Sequence, residues 1–106
     1  MSAVSEAKAR LAAVRAKFAG KLRDRIDELA QVVAAAPADA EQVAKAIELA
    51  HRLAGTAGSF GYADAGAEAL QLETQLISIR DGAADAPPWA DVDAQLRRVI
   101  ATKPPA

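Results

Sequence analysis

The stretch that decides the fold is residues 39–61, DAEQVAKAIELAHRLAGTAGSFG. Its apolar residues recur at three- and four-residue steps, which predicts an amphipathic helix. These residues are Val43, Ala46, Leu49, Ala50, Leu53, Ala57 and Phe60. Asp39 and Gln42 have the spacing of a capping box, so the helix is expected to begin just after Asp39. Gly61 is a natural stop, although an end near Gly58 is also compatible with the sequence.

Three further segments with helical periodicity flank this stretch. The first covers about residues 3–36 and ends before Pro37, and Gly20 leaves open whether it is one helix or two. The others cover about residues 63–80 and 88–102, joined by a proline-containing loop. The stripe of the first segment is Val4, Ala7, Leu11, Val14, Phe18, Leu22, Ile26, Leu29 and Val33, and that of the last is Trp89, Val92, Leu96, Val99 and Ile100. Short loops between amphipathic helices favour antiparallel neighbours. We therefore predict an all-α, antiparallel up-and-down four-helix bundle, with an additional N-terminal helix if Gly20 divides the first segment.

Composition supports a small helical domain. The 106 residues are 52% hydrophobic but only 4% aromatic, and much of the apolar content is alanine, the strongest helix former. We interpret residues 1–106 as one domain, with residues 103–106 as a frayed tail. Cysteine is absent, and no apolar run reaches the length of a membrane span, so we expect a soluble, cytoplasmic, monomeric protein.

Charge is unevenly distributed although the net charge is only −1. The balance disfavours nucleic-acid binding. Basic residues nevertheless concentrate in the first 25 positions: Lys8, Arg10, Arg15, Lys17, Lys21, Arg23 and Arg25. A solvated helix face is one interpretation of this cluster. The alternative is a surface for an acidic partner, which would make the protein a non-catalytic helical adaptor.

The single histidine, His51, lies off the predicted core. At about 100° per residue, the apolar stripe of its helix is centred roughly 140° away from it. Its surface neighbours include Gly55 and Gly58, and glycine inside a helix costs about 1 kcal/mol relative to alanine. We interpret this as an exposed imidazole with clearance around it, the alternative being that the glycines permit close helix packing.

Glu73 lies inside the apolar arc of the third helix, where an ionised carboxylate needs a partner. The His51 ring N–H or a nearby arginine would serve, and a surface position at the helix edge is the alternative. A carboxylate accepting from one ring nitrogen would leave the other as a nucleophile.

The inventory of side chains excludes several kinds of site. One histidine and no cysteine cannot make a conventional zinc site in one chain. The glycines after His51 lack the lysine and spacing of a phosphate-cradling loop, so no ATP-dependent kinase activity is expected. A lone exposed imidazole can still accept a phosphoryl group and pass it on, since such transfer depends mainly on positioning and electrostatics.

The run HRLAGTAGSFG over residues 51–61, with Glu73 on the next helix, resembles the histidine phosphotransfer (HPt) domains of bacterial two-component phosphorelays. The resemblance covers about residues 40–80. It implies that His51 is the phosphoacceptor, exchanging phosphoryl groups with a receiver-domain aspartate or a sensor or hybrid histidine kinase. It also implies that Gly55 gives clearance for docking, and that Mg²⁺ belongs to the partner receiver domain only.

Two features of the run bear on this resemblance. One departs from the common HPt pattern, and the other disfavours a related class of protein. The common HPt pattern has lysine three residues after the histidine, where this chain has Ala54, and Arg52 is the nearest base in sequence. The dimerisation helices of sensor kinases also carry a phosphorylated histidine, usually followed by an acid and soon by a proline. Arg52 and the lack of a nearby downstream proline disfavour that alternative.

Overall fold

The structure is a computed structural model that describes residues 2–105. Four α-helices follow one another along this part of the chain: α1 (Ala3–Ala35), α2 (Ala40–Ala57), α3 (Ala63–Arg80) and α4 (Trp89–Ala101). A short 3₁₀ turn, Gly58–Phe60, continues α2, and residues 2–105 contain no β-strand. The prediction of an all-α fold is confirmed.

The helix ends follow the local sequence signals. The Asp39 carboxylate accepts hydrogen bonds from the backbone N–H groups of Glu41 and Gln42, which would otherwise lack partners at the start of α2. The α-helical part of α2 ends before Gly58, which is one of the two end points that the sequence left open. The chain then turns at Gly61, whose φ of 88° is a left-handed conformation that glycine adopts without strain.

The four helices form a closed ring of neighbours in which α1 contacts α2 and α4, and α3 contacts α2 and α4. The confirmed architecture is a four-helix bundle around one apolar core. Fully buried large side chains come from every helix: Leu22, Ile26, Leu29 and Val33 from α1, Leu53 from α2, Leu72 and Leu76 from α3, and Val92 and Val99 from α4. Ile100, which was predicted to face this core, is exposed.

Helix α1 runs unbroken through Gly20, so within residues 2–105 there is no additional N-terminal helix. A methyl group at Gly20 would meet only the flexible end of Arg23, at 3.7 Å. The predicted apolar stripe of α1 is buried only in the second half of the helix. Residues 3–17, hereafter the N-terminal arm, are all exposed and extend beyond the other helices, which gives the molecule its 60 × 21 × 20 Å dimensions.

The chain after α4 makes two polar contacts with α1. Lys103 Nζ lies 2.9 Å from Asp27 Oδ1, and Arg23 Nη1 donates a 2.8 Å hydrogen bond to the Pro105 carbonyl. These contacts hold residues 103–105 on the bundle, while Ala106 lies outside the described residues. In the described part of the chain, no helix is long and apolar enough to cross a membrane.

Candidate functional site

His51 and Glu73 form a pair across α2 and α3. His51 Nδ1 lies 3.0 Å from Glu73 Oε2 and 3.2 Å from Oε1. The His51 side chain is 76% exposed, whereas the Glu73 side chain is only 13% exposed. Of the two interpretations of Glu73 that the sequence left open, the structure therefore shows the paired one. The pair joins a mostly buried acid to a ring that points into solvent.

This geometry defines the tautomer of neutral His51. An ionised carboxylate can only accept hydrogen bonds, so Nδ1 carries the proton and its N–H donates a hydrogen bond to Glu73. The other ring nitrogen, Nε2, then bears a free electron pair. Glu73 thus restrains the orientation of the ring and leaves Nε2 as a potential nucleophile.

The two glycines near His51 leave open space around the ring. A methyl group built on Gly55 or on Gly58 would meet nothing within 4 Å. Neither glycine is therefore required for helix packing at its own Cα. Both line a shallow groove between α2 and α3, with His51 and Glu73 at one end and Leu70 on its wall.

The glycine that serves packing is Gly66 in α3, which the sequence analysis missed. A methyl group there would lie 3.3 Å from the Ala54 carbonyl oxygen and 3.5 Å from the Gly58 nitrogen. Gly66 thus lets α3 approach the end of α2 closely. The sequence signal was available, because Gly66 lies among small residues on the buried side of a helix.

The base nearest to His51 in sequence is already paired with an acid on its own helix. Arg52 forms an ion pair with Glu48, one turn earlier on α2. Ala54, where the common HPt pattern has lysine, is half-buried and lines the groove between α2 and α3. It therefore provides no positive charge there.

A residue that sequence reasoning did not single out, Arg25 of α1, lies on the other side of the histidine. Its Nη1 donates a 3.3 Å hydrogen bond to Thr56 Oγ1, and the Thr56 hydroxyl donates to the Arg52 carbonyl at 2.9 Å. Arg25, Thr56 and His51 line one groove between α1 and α2. The sequence identified Arg25 only as one of the basic residues of the first 25 positions, because the register between α1 and α2 is needed to place it near His51.

The described residues hold no group of three or more histidine, cysteine, aspartate or glutamate side chains that could bind a metal ion. The site presents an exposed imidazole, a carboxylate paired with that ring, and a guanidinium group that lines the same groove. Such an arrangement can accept and release a group supplied by another protein.

The family model of the Hpt domain matches residues 13–102, which include all four helices except the first part of α1. Comparisons with curated proteins and with solved structures gave no match.

Proposed function

The chain belongs to the Hpt domain family, and we propose that it carries phosphoryl groups on Nε2 of His51 to and from the aspartate of a receiver domain. Hpt domains act in histidine phosphotransfer in two-component signalling, where they interact with receiver domains and kinases. Membership of the family does not specify which residues of this chain carry out the phosphoryl transfer. The observation that carries the assignment is the exposed His51 ring held at Nδ1 by Glu73.

The proposed transfer step balances without a cofactor on this chain. The Nε2 electron pair attacks the phosphorus of an aspartyl phosphate, the N–P bond forms, and the P–O bond to the aspartate breaks. The aspartate leaves as a carboxylate. The ring keeps its Nδ1 proton and gains positive charge, which the facing Glu73 carboxylate stabilises. The return transfer is the same step in reverse.

Docking of the receiver depends on access to Nε2 from outside the bundle. The open space over Gly55 and Gly58 would let the partner's surface approach the ring closely. In this proposal Mg²⁺ and the acidic pocket are supplied by the receiver. The chain itself has no phosphate-cradling loop of the kind that ATP-dependent phosphorylation requires, so it acts as a carrier without kinase activity of its own.

Arg25 is the proposed source of the positive charge that Ala54 cannot provide. It faces the groove that also contains His51, whereas Arg52 is already paired with Glu48. A guanidinium group lining the same groove as His51 would attract the phosphoryl oxygens while the N–P bond persists. Arg25 would thus act from a neighbouring helix in place of a lysine on α2.

The direct test is transfer from a phosphorylated receiver domain to His51→Gln. A receiver charged with radiolabelled acetyl phosphate should label the native chain with an acid-labile, base-stable bond. His51→Gln should reduce that label at least 1,000-fold, on the order of the loss seen when a nucleophile is removed. Thermal unfolding should be unchanged because the ring lies in solvent.

Lys45→Gln is the matched control, since Lys45 is an exposed residue of the same helix and the same amide replaces it. Its transfer rate should stay within about twofold of the native rate. Undiminished label on His51→Gln, or a label stable to acid and labile to base, would refute the assignment.

A further inference from the structure

The N-terminal arm exposes an apolar seam that no other described residue covers. Val4, Leu11 and Val14 are 64%, 51% and 50% exposed, and they follow one face of α1. Isolated exposed apolar residues are ordinary, but an aligned set on a projecting helix is typical of an interaction surface.

The seam has the heptad spacing of a coiled coil. Val4, Leu11 and Phe18 are seven residues apart and occupy the a position, while Ala7 and Val14 occupy the d position. In this register every e and g position of the arm from Lys8 onward is basic. These flanking residues are Lys8 and Arg15 at e, and Arg10 and Lys17 at g. The opposite face of the arm consists mainly of alanine, so the charges border the seam instead of lying behind it.

The position of the arm leaves room for one additional helix. The seam continues directly into the core-facing residues Phe18 and Leu22, because about 100° per residue brings them to the same face. Phe18 stacks on Phe60 at the end of the bundle, with ring centroids 4.1 Å apart. The arm projects about 22 Å beyond this pair. A helix lying along the seam would therefore fit the corner between the arm and the end of the bundle.

We propose that the arm binds an acidic amphipathic helix of a partner protein, as one strand of a two-stranded coiled coil. The partner would place aliphatic residues against Val4, Leu11 and Val14. Glutamate or aspartate at its own e and g positions would pair with the four flanking cations of the arm. The arm is preorganised for this role: Ser2 caps α1 by accepting from the Ser5 N–H at 3.2 Å, and Glu6 lies in the first turn.

Two other occupants are disfavoured by the same observations. In a second copy of this chain, Arg10 at g would face the other copy's Arg15 at e in a parallel pair, and cations at e or at g would meet cations of the other copy in an antiparallel pair; both arrangements are repulsive. A flat membrane surface along the seam would collide with the bundle, which is about 20 Å thick and lies on the same side of α1. A single helix avoids both problems.

This surface is separate from the chemistry at His51. The Hpt family match begins at residue 13, so Val4 to Arg10 lie outside it. The inference does not depend on the phosphoacceptor assignment, and each can fail alone.

The test uses two designed 21-residue peptides with leucine and valine at a and d, one with glutamate and one with lysine at every e and g. Fluorescence anisotropy should show saturable 1:1 binding of the glutamate peptide to the native chain. Binding of the lysine peptide should be at least tenfold weaker, and added salt should weaken the glutamate complex.

Leu11→Ser should weaken binding of the glutamate peptide at least tenfold. Leu70→Ser is the matched control, because Leu70 is a leucine of similar exposure (54%) away from the arm. The double substitution Arg10→Glu with Lys17→Glu should shift the preference toward the lysine peptide. Circular dichroism melts check that each variant keeps the fold.

Several results would overturn the proposal. The glutamate peptide could fail to bind, or both peptides could bind equally well. Leu11→Ser and Leu70→Ser could also weaken binding of the glutamate peptide to the same extent. A dimer in sedimentation equilibrium that Leu11→Ser abolishes would assign the seam to a second copy. Leu11-dependent binding to phosphatidylserine vesicles, without peptide binding, would assign it to a membrane.

Discussion

The His51 face and the N-terminal arm both leave apolar surface uncovered, and they do so in opposite ways. Around His51 the surface is open because Gly55 and Gly58 have no side chains. A methyl group added to either glycine would meet nothing within 4 Å. On the arm, the surface consists of whole aliphatic side chains such as Leu11 on a projecting helix. The first shape admits a convex partner, whereas the second needs another helix laid beside it.

The charges of the two regions differ as well. The His51 face combines an exposed imidazole with a mostly buried Glu73, so its polar groups are arranged around the ring nitrogen that we propose as the nucleophile. The arm has cations along both edges of an apolar seam and no comparable pair. Under the two proposals, the His51 face carries out phosphoryl transfer and the arm binds a partner, and the two regions can be perturbed independently.

After the loss of the His51 ring itself, the largest expected effect comes from filling the space at the His51 face. Gly55→Leu should slow phosphoryl transfer by about 100-fold, because a misplacement of even 1 Å between reacting atoms has effects of that size. The fold should be unaffected or more stable by up to about 1 kcal/mol, since leucine replaces glycine in a helix where nothing obstructs it. Transfer kinetics and thermal melts measure the two effects separately.

Gly66→Leu is the matched control on the facing helix. Its side chain would press on the Ala54 carbonyl oxygen, which a methyl group would already approach to 3.3 Å. We expect a loss of stability of about 1–3 kcal/mol, as for other overpacked sites. If Gly55→Leu destabilised the protein as much as Gly66→Leu does, then Gly55 would serve packing and not docking.

A smaller effect is expected when the charge behind the histidine is removed. Glu73→Gln keeps the shape of the side chain and can still accept from Nδ1, but a neutral hydrogen bond is only about half as strong as a charge-assisted one. Transfer should slow by roughly fivefold, corresponding to about 1 kcal/mol. Stability should not fall, because a mostly buried charge is replaced by a neutral amide.

Nitrogen NMR of the imidazole distinguishes positioning from a purely structural role for Glu73. The native ring should show protonated Nδ1 and unprotonated Nε2, whereas Glu73→Gln should show a mixture of the two neutral tautomers. An unchanged tautomer with an unchanged transfer rate would mean that Glu73 does not position His51.

Much of this site follows from helical periodicity alone. Because each residue advances by about 100°, the sequence was sufficient to place His51 off the core and Glu73 inside the apolar arc of α3. The bounds of α3, residues 63–80, also follow from the pattern and its end at Asp81 and Gly82. Periodicity shows which face of a helix is apolar. It can therefore identify the residues of a site that lies between one helix and the helix packed beside it.

Features that depend on the register between helices could not be predicted in this way. The Arg25–Thr56 hydrogen bond joins residues 31 positions apart, and no pattern within α1 or α2 aligns them. The same limitation made the stripe through Val4, Leu11 and Val14 look like part of the core. Periodicity does not report whether a neighbour is long enough to cover a stripe. Yet the lengths held a clue, since a 33-residue α1 must overhang an 18-residue α2.

The smallest expected effect is the loss of the overhang itself. Deleting residues 2–12 removes only exposed side chains, including Val4 and Leu11, so the free energy of unfolding should change by less than about 0.5 kcal/mol. Phosphoryl transfer should stay within about twofold of the native rate, because the deleted part lies outside the Hpt family match, which begins at residue 13. Chemical denaturation and the receiver transfer assay provide the measurements. A loss of 2 kcal/mol or more would show that the arm stabilises the bundle, and a tenfold slower transfer would place the receiver's docking surface partly on the arm.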